Sequence, residues 1–409
     1  MSDSARTHDL VVYGASGFVG RLLAAYLAEH APPEMSIALA GRSRARVEEV
    51  RAGLPAAARN WPVLEGDSGD ASSLAALAGA TRVLVTTVGP YARHGLPVVE
   101  ACARAGTHYA DLTGEVLFVR EAIDRYDAAA RASGARIVHS CGFDSVPSDL
   151  ATLLLARRAQ EDGAGGLRDV RLVATFRGGF SGGTIDSLRA QLEAVQRNPS
   201  LRRQVTDPYA LSPARAAEPD TRQPPDAGPP ARTADGRWTA PFMMAPFNTR
   251  IVRRSNALQD WAYGRGMRYG EVMGCGRGPL GAATAAGVTA ALVGALAAMT
   301  FRPTRALLDR VLPAPGSGPS ATVREKGWFR VVVDAETEQG RRYRATVAAP
   351  GDPGYAATAV MLGESALALA VDADRLPDRA GSLTPATALG DVLVQRLRAA
   401  GHTYEVAPA

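Results

Sequence analysis

The stretch Asp9-Leu-Val-Val-Tyr-Gly-Ala-Ser-Gly-Phe-Val-Gly20 decides how the rest of this chain is read. Leu10 to Tyr13 form a short apolar run rich in β-formers. Gly14, Gly17 and Gly20 follow at three-residue spacing, and Leu22, Leu23, Tyr26 and Leu27 then recur on one helical face. The order is strand, tight turn, helix. In such a unit the first glycine permits the sharp turn, the second lets a pyrophosphate approach the backbone, and the third lets the helix lie close to the strand. The unpaired N–H groups and positive dipole end of the helix then face the phosphates. A purely structural glycine turn is the alternative. The strand before it and the helix after it favour nucleotide binding.

Working outward, Ser36 to Gly41 reads as a second parallel strand, followed by Arg42 and Ser43. An acid at this point would take a ribose 2′-hydroxyl, whereas an arginine suits a 2′-phosphate, so NADP(H) is expected over NAD(H). The competing reading makes Arg42 a solvated residue at a helix start. Trp61 to Asp67 and the very apolar Arg82 to Gly89 continue the pattern. Strands apolar on both faces and alternating with helices belong to a parallel sheet covered on both sides, with ligands beyond its C-terminal edge. Asp67 then falls near the adenosine end of a cofactor, or serves as a helix cap. Val88, Gly89, Pro90 and Tyr91 fall near the nicotinamide end, where Gly89-Pro90 is also a turn. Leu96 to Ala105, His108 to Gly114, Val116 to Ser133 and Arg136 to Gly142 carry the alternation on to about six strands. The loop Cys141 to Asp149 closes this domain, and Val146 to Arg158 reads as a helix leading away.

From Leu167 the pattern changes. Arg168 to Arg177 alternates like a half-exposed strand, Thr184 to Arg197 is helical, and Thr249 to Ala257 and Met267 to Cys275 read as further strands. Trp328 to Val333 and Arg342 to Val347 form a hairpin turned at Gln339-Gly340. The expected architecture is α/β: a Rossmann domain over residues 1–150 and an α+β domain with a mainly antiparallel sheet over residues 151–354. Helices over residues 355–409 are expected to fold back on the first domain. Pro199 to Pro246 reads as a long Pro-rich loop or lid, with Trp238 and Phe242-Met243-Met244 as its packing end. Pro279 to Phe301 has no charged residue. It is long enough to span a bilayer but poor in large apolar side chains, so three readings stay open: a buried helix, a helix in contact with membrane or acyl chain, and a true span.

Of 409 residues, 46% are hydrophobic and 21% charged, as in a folded soluble protein. The net charge of +5 is carried by arginine, since Lys326 is the one lysine, and no basic stripe with interleaved aromatics suggests nucleic acid. Cys102, Cys141 and Cys275 are few and far apart, which argues for a reducing compartment and against a disulfide framework. The start runs directly into the first strand, so a cytoplasmic protein is expected, with peripheral membrane association as an option. A Tyr-x-x-x-Lys pair is absent, as is H-E-x-x-H. No metal site is expected.

Gly14-Ala-Ser-Gly-Phe-Val-Gly20, Ala40-Gly-Arg-Ser43, Val88-Gly-Pro-Tyr91, Tyr109-Ala-Asp-Leu-Thr-Gly-Glu115 and Cys141-Gly-Phe-Asp-Ser-Val-Pro-Ser-Asp149 together resemble the saccharopine dehydrogenase-like oxidoreductases. The chain looks most like their bacterial trans-acting enoyl reductases, and the likeness continues through Gly351-Asp-Pro-Gly-Tyr355 and Leu383-Thr-Pro385. The resemblance implies a Rossmann domain and a second domain closing over it. It carries Gly14, Ser16, Gly17, Phe18 and Val19 to the phosphate turn, Arg42 and Ser43 to the adenosine phosphate, and Val88, Gly89, Pro90 and Tyr91 to the nicotinamide side. The implied substrate is an acyl or polyketide chain, free or bound to a carrier, with a homodimer compatible with the chain. No proton donor transfers with the family. At the sheet edge the candidates are Tyr91, His94, His139, Cys141 and Asp144, each with a structural alternative. Two other readings remain: an imine or amino-acid C–N oxidoreductase, for which Arg177 and Arg250 could hold two carboxylates, and a non-catalytic nucleotide-binding protein.

Overall fold

The computed structural model describes residues 6–178, 182–300 and 318–409. His8–Tyr13 is the central strand, β1, and its alternation divides between two cores. Leu10 and Val12 pack with Leu23 and Leu27 on one face, while Val11 and Tyr13 pack with Leu74 and Tyr109 on the other. β2 (Ile37–Gly41) and β3 (Val63–Glu65) lie on one side of it. β4 (Thr81–Thr86), β5 (His108–Ala110) and β6 (Arg136–Val138) lie on the other. All pairs are parallel. The connecting helices are α1 (Phe18–His30), α2 (Arg44–Ala52), α3 (Ala71–Ala80), α4 (Tyr91–Ala105) and α5 (Val116–Ser133). The strand order reverses at β1 and β4, one side running on to β2 and β3 and the other to β5 and β6, and this opens a crevice at the C-terminal edge.

A buried helix, α6 (Val146–Glu161), leads to a second seven-stranded sheet. The strands in chain order are β7 (Leu167–Arg177), β8 (Ala231–Arg232), β9 (Arg237–Pro241), β10 (Arg268–Arg277), β11 (Trp328–Thr337), β12 (Arg342–Pro350) and, at the end, β14 (Thr403–Pro408). It is antiparallel apart from the central β7–β10 pair. Between them, β13 (Gly381–Leu383) belongs to the first sheet, pairing parallel with β6 as its seventh strand. The C-terminal part therefore contributes a strand as well as helices. The helix Ala356–Val371 lies on α1, where a side chain at Gly363 would meet the Tyr26 ring at 2.5 Å.

Two expectations fail in the second half. Thr249 to Ala257 is not a strand but the core of helix α9 (Ala245–Leu258). Every residue from Phe247 to Ala257 is buried, so the helix has no exposed face to impose a 3.6-residue polarity pattern. The segment 199–246 is not an open lid either. It holds a short helix, α8 (Leu201–Thr206), with β8 and β9, and guanidinium groups of α9 fasten it down. Arg250 donates to the carbonyls of Val205 and Thr206 and pairs with Asp226, and Arg253 donates to Pro208 and Tyr269. Arg254 donates to the carbonyls of Leu211 and Ser382, both at 2.6 Å. Burial pulls the Arg254 guanidinium down to about 9, still charged at neutral pH.

Candidate active site

The C-terminal edge of the first sheet opens into a cavity of about 500 Å³, roofed by parts of the second domain. Its floor begins at the glycine turn after β1. Gly14 has φ +90°, and a Cβ there would sit 2.7 Å from Val88 Cγ2. At Gly20 a Cβ would lie 2.2 Å from the Gly14 carbonyl oxygen. Both glycines are thus required by the protein itself. Gly17 is different. Its φ is −72°, and an added Cβ would meet only the Gly14 oxygen at 3.2 Å, so the space beside it is left open by the protein. Ser16, Gly17, Phe18 and Val19 line the cavity there, and the first N–H groups of α1 have no partner within the helix. An open glycine next to a free helix start fits a pyrophosphate.

At the end of β2, Arg42 is exposed, lines the cavity, and has no ion pair among the described residues. Ser43 and Asp67 are not in the lining. Ser43 opens α2, and Asp67 Oδ1 accepts the Gly69 N–H while its own N–H donates to Ser73 Oγ, which shapes the loop into α3. Ser68 takes the place at the wall, hydrogen-bonded to His94 Nδ1 at 3.0 Å. Burial, then the charges of Arg42 and Arg93, hold the His94 imidazole below its usual range, so it is neutral at pH 7.

Beyond β4, Val88, Gly89, Pro90 and Tyr91 line the cavity. The Tyr91 hydroxyl donates to the Thr86 carbonyl (3.1 Å) and accepts the Leu112 N–H (3.2 Å). Burial, then the charge of Asp111, raises its pKa well above the usual tyrosine range. It braces the turn and is a poor acid. Sequence reasoning gave no role to Glu115. Its carboxylate accepts the N–H groups of Tyr91 and Ala92 and the Ser187 hydroxyl, which caps α4 and ties it to α7 (Gly182–Arg197). The signal available was that α4 starts at Pro90, a residue with no side-chain cap to offer.

The other proton-donor candidates separate cleanly. His139 and Cys141 are buried and absent from the lining. His139 Nδ1 bonds Asp111 at 2.7 Å, and Asp111 also accepts the Tyr109 hydroxyl and the N–H groups of Thr113 and Ser140. That set ties together the ends of β5 and β6. Burial raises the Cys141 thiol far above its usual range. Packing thus withdraws both from reach of a substrate. Asp144 does line the cavity, half-buried, with no other side chain bonded to it among the described residues. A Cβ at Gly142 would lie 3.0 Å from Asp144 Oδ2, so that glycine leaves room for the carboxyl. Burial, reinforced by nearby Asp111, raises Asp144 to about 7.

The roof is largely apolar: Phe143, Phe176, Met243, Met244, Phe247 and Tyr355, with Ser187 and Gln191 of α7 at one side. Tyr355 meets Phe18 edge-on at 4.9 Å, and Gln191 accepts the Val116 N–H, so the two domains touch across the cavity. The charge-free helix α10 (Gly278–Thr300) does not belong here. None of its residues lines the cavity, so it is not the wall of an acyl channel there, and with 11% of its apolar window buried it is not a core helix. Phe301 lies outside the described residues. Among the described residues no cluster suited to a metal ion occurs.

Comparison with known proteins agrees with this geometry. Residues 10–138 match the family described as the saccharopine dehydrogenase NADP binding domain. Apo saccharopine dehydrogenase (L-Glu forming) from Saccharomyces cerevisiae has a related fold, with a TM-score of 0.55 at 13% identity over 98% of this chain and 99% of that one. A Mycobacterium tuberculosis relative is 52% identical over 412 residues, covering 98% of each chain. Trans-acting enoyl reductases of Mycobacterium bovis and Mycobacterium ulcerans are 47% and 46% identical, again over 98% of each chain. A glycine turn, an arginine-marked second strand and a roofed cavity, in a chain this similar throughout, place the protein in the trans-acting enoyl reductase family, with a saccharopine dehydrogenase-type NADP-binding domain.

Proposed function

We propose that the protein is an NADPH-dependent reductase of an α,β-unsaturated acyl group held on a separate carrier, with Asp144 as the proton donor. The observation that carries this reading is what one cavity brings together: Arg42, an apolar roof, and the carboxyl of Asp144, which burial raises to about 7. Ser16, Gly17, Phe18 and Val19 hold the pyrophosphate on the start of α1, Arg42 takes the 2′-phosphate, and Val88 to Tyr91 meet the nicotinamide end. When bound, NADPH supplies a hydride to the β-carbon. Asp144, half-protonated at neutral pH, gives its proton to the α-carbon and is left as a carboxylate that solvent reprotonates. The aromatic and methionine roof excludes water and accommodates the acyl chain. Ser43 and Asp67 act on the shape of the cofactor loops.

The C–N oxidoreductase reading needs cationic groups for two carboxylates. Arg250 is buried against Asp226 under the segment 199–246, Arg177 is not in the lining, and Arg42 is the single arginine there among the described residues. Asp144→Asn tests the proposal: turnover of an enoyl thioester should fall by about 10²–10⁴ while NADPH still binds. Oxidation of saccharopine by the unmodified protein, with enoyl thioesters untouched, would overturn it.

A further inference from the structure

We propose that α10 is a peripheral membrane-binding element, lying along a phospholipid surface. This goes beyond the reductase reading and does not depend on it. From Gly278 to Thr300 the helix carries no charged and no aromatic residue. Its mean hydropathy reaches 1.8, yet 11% of the residues in that window are buried. A core helix would be covered, and this one is not. Leu280 is 80% exposed and Val293 62%. The hydroxyls of Thr284 and Thr289 donate to the carbonyls four residues earlier in the same helix, Leu280 and Ala285, each at 2.8 Å.

The way α10 is fixed favours a peripheral placement over a span. It continues directly from β10, and at Gly281 a Cβ would lie 2.6 Å from the Gly276 carbonyl oxygen, so backbone packs on backbone. Ala285 and Met299 are buried, and α10 lies against β9 and β10. The helix can present one long face to a membrane without leaving the protein. Protein interfaces are anchored by aromatic and arginine side chains, and this face has neither. In the sequence, arginines flank the uncharged stretch, Arg277, ion-paired with Asp235, before it and Arg302 after it, the pattern of a segment bordered by phosphate headgroups. α10 also touches α7, whose Ser187 and Gln191 line the cavity, so the reaction chamber would sit beside the lipid surface.

The test is flotation of the full chain with phosphatidylcholine vesicles, with and without phosphatidylglycerol. The protein should rise with both, more completely with the anionic set. Val293→Asp and Leu280→Asp should each weaken the association by about tenfold or more, with thermal unfolding and NADPH binding unchanged. Protein that stays at the bottom of the gradient overturns the proposal, as does binding to anionic vesicles alone that ignores both substitutions. A dimer that does not float and is split by Val293→Asp would show that a second copy covers this face, which also overturns it. Resistance to carbonate extraction would show a span and overturn the peripheral placement.

Discussion

Helices α9 and α10 invert what their compositions suggest. α9 carries Arg250, Arg253 and Arg254 and is buried over almost its whole length, while α10 carries no charge and is largely exposed. The difference lies in what each polar group can bond. Every α9 guanidinium reaches at least two carbonyl oxygens or a carbonyl and a carboxylate, and offsets part of its desolvation in that way. Composition gives the cost of placing a residue inside, and hydrogen-bond partners decide whether that cost is met. The same contrast separates two carboxyls. Asp149, fully buried on α6, accepts the Ser255 hydroxyl and the Ala386 N–H, whereas Asp144 faces the cavity. Burial raises both to about 7. One is tied into the packing, and the other is open to the cavity.

The sharpest way to break this contrast is in α9. Arg254→Met should cost about 3–5 kcal/mol, because two charge-assisted bonds are lost and the carbonyls of Leu211 and Ser382 stay buried without a donor. Denaturant unfolding would measure it. A cost near that of a surface substitution would mean that the guanidinium is ornamental and the comparison empty.

The same logic explains what the sequence could reveal. Around β1 every local signal agreed, so strand, turn, helix and sheet class were readable from Asp9 to Gly20. The strand Gly381–Leu383 was not, because three residues carry no periodicity and its pairing with β6 depends on residues far away in sequence. α9 misled because complete burial erases the stripe that marks a helix. Asp144 was readable as one candidate among several, but only packing distinguishes it from His139 and Cys141, equally plausible by residue type and position. Glu115 went unassigned because the N–H groups that it caps lie more than twenty residues earlier.

Asp144 and Asp149 can be separated by pH. A carboxyl whose pKa is raised on folding binds its proton more tightly in the native state, so its contribution to stability is largest near pH 4 and is lost as pH rises to about 7. Both carboxyls should act on stability in this direction. Only Asp144 should act on turnover, with the rate under saturating substrate falling as pH rises through about 7 because the acid form is depleted. In Asp144→Asn that fall should vanish along with most of the activity, whereas Asp149→Asn should keep the profile and change the unfolding curve. An unaltered pH profile in Asp144→Asn would remove it from the reaction.

Arg42 provides a smaller effect and an exposed counterpart to Arg254. It has no partner among the described residues, so its removal should leave stability almost untouched. The loss should appear in binding: the charge-assisted contact with a 2′-phosphate is worth about 1.5–3 kcal/mol, roughly tenfold or more in the preference for NADPH over NADH. Nicotinamide fluorescence titration of Arg42→Ala against the unmodified protein checks it. Equal affinity for both cofactors in the unmodified protein would sink the assignment.

The smallest effect is expected on α10, where it tells most about composition and burial. Val293→Asp puts a charge into an uncharged helix, a change that would be severe if that helix were core. With Val293 62% exposed, the aspartate stays hydrated and the valine gives up little packing. Helix propensity sets the scale instead, and valine and aspartate differ little on it. The expected change in unfolding free energy is within about 0.5 kcal/mol, the ordinary range for surface positions. Measured in denaturant without lipid, it separates the folded state from any membrane contribution. A loss of several kcal/mol would show that something in the protein covers this face in solution, and α10 would then be a buried helix after all.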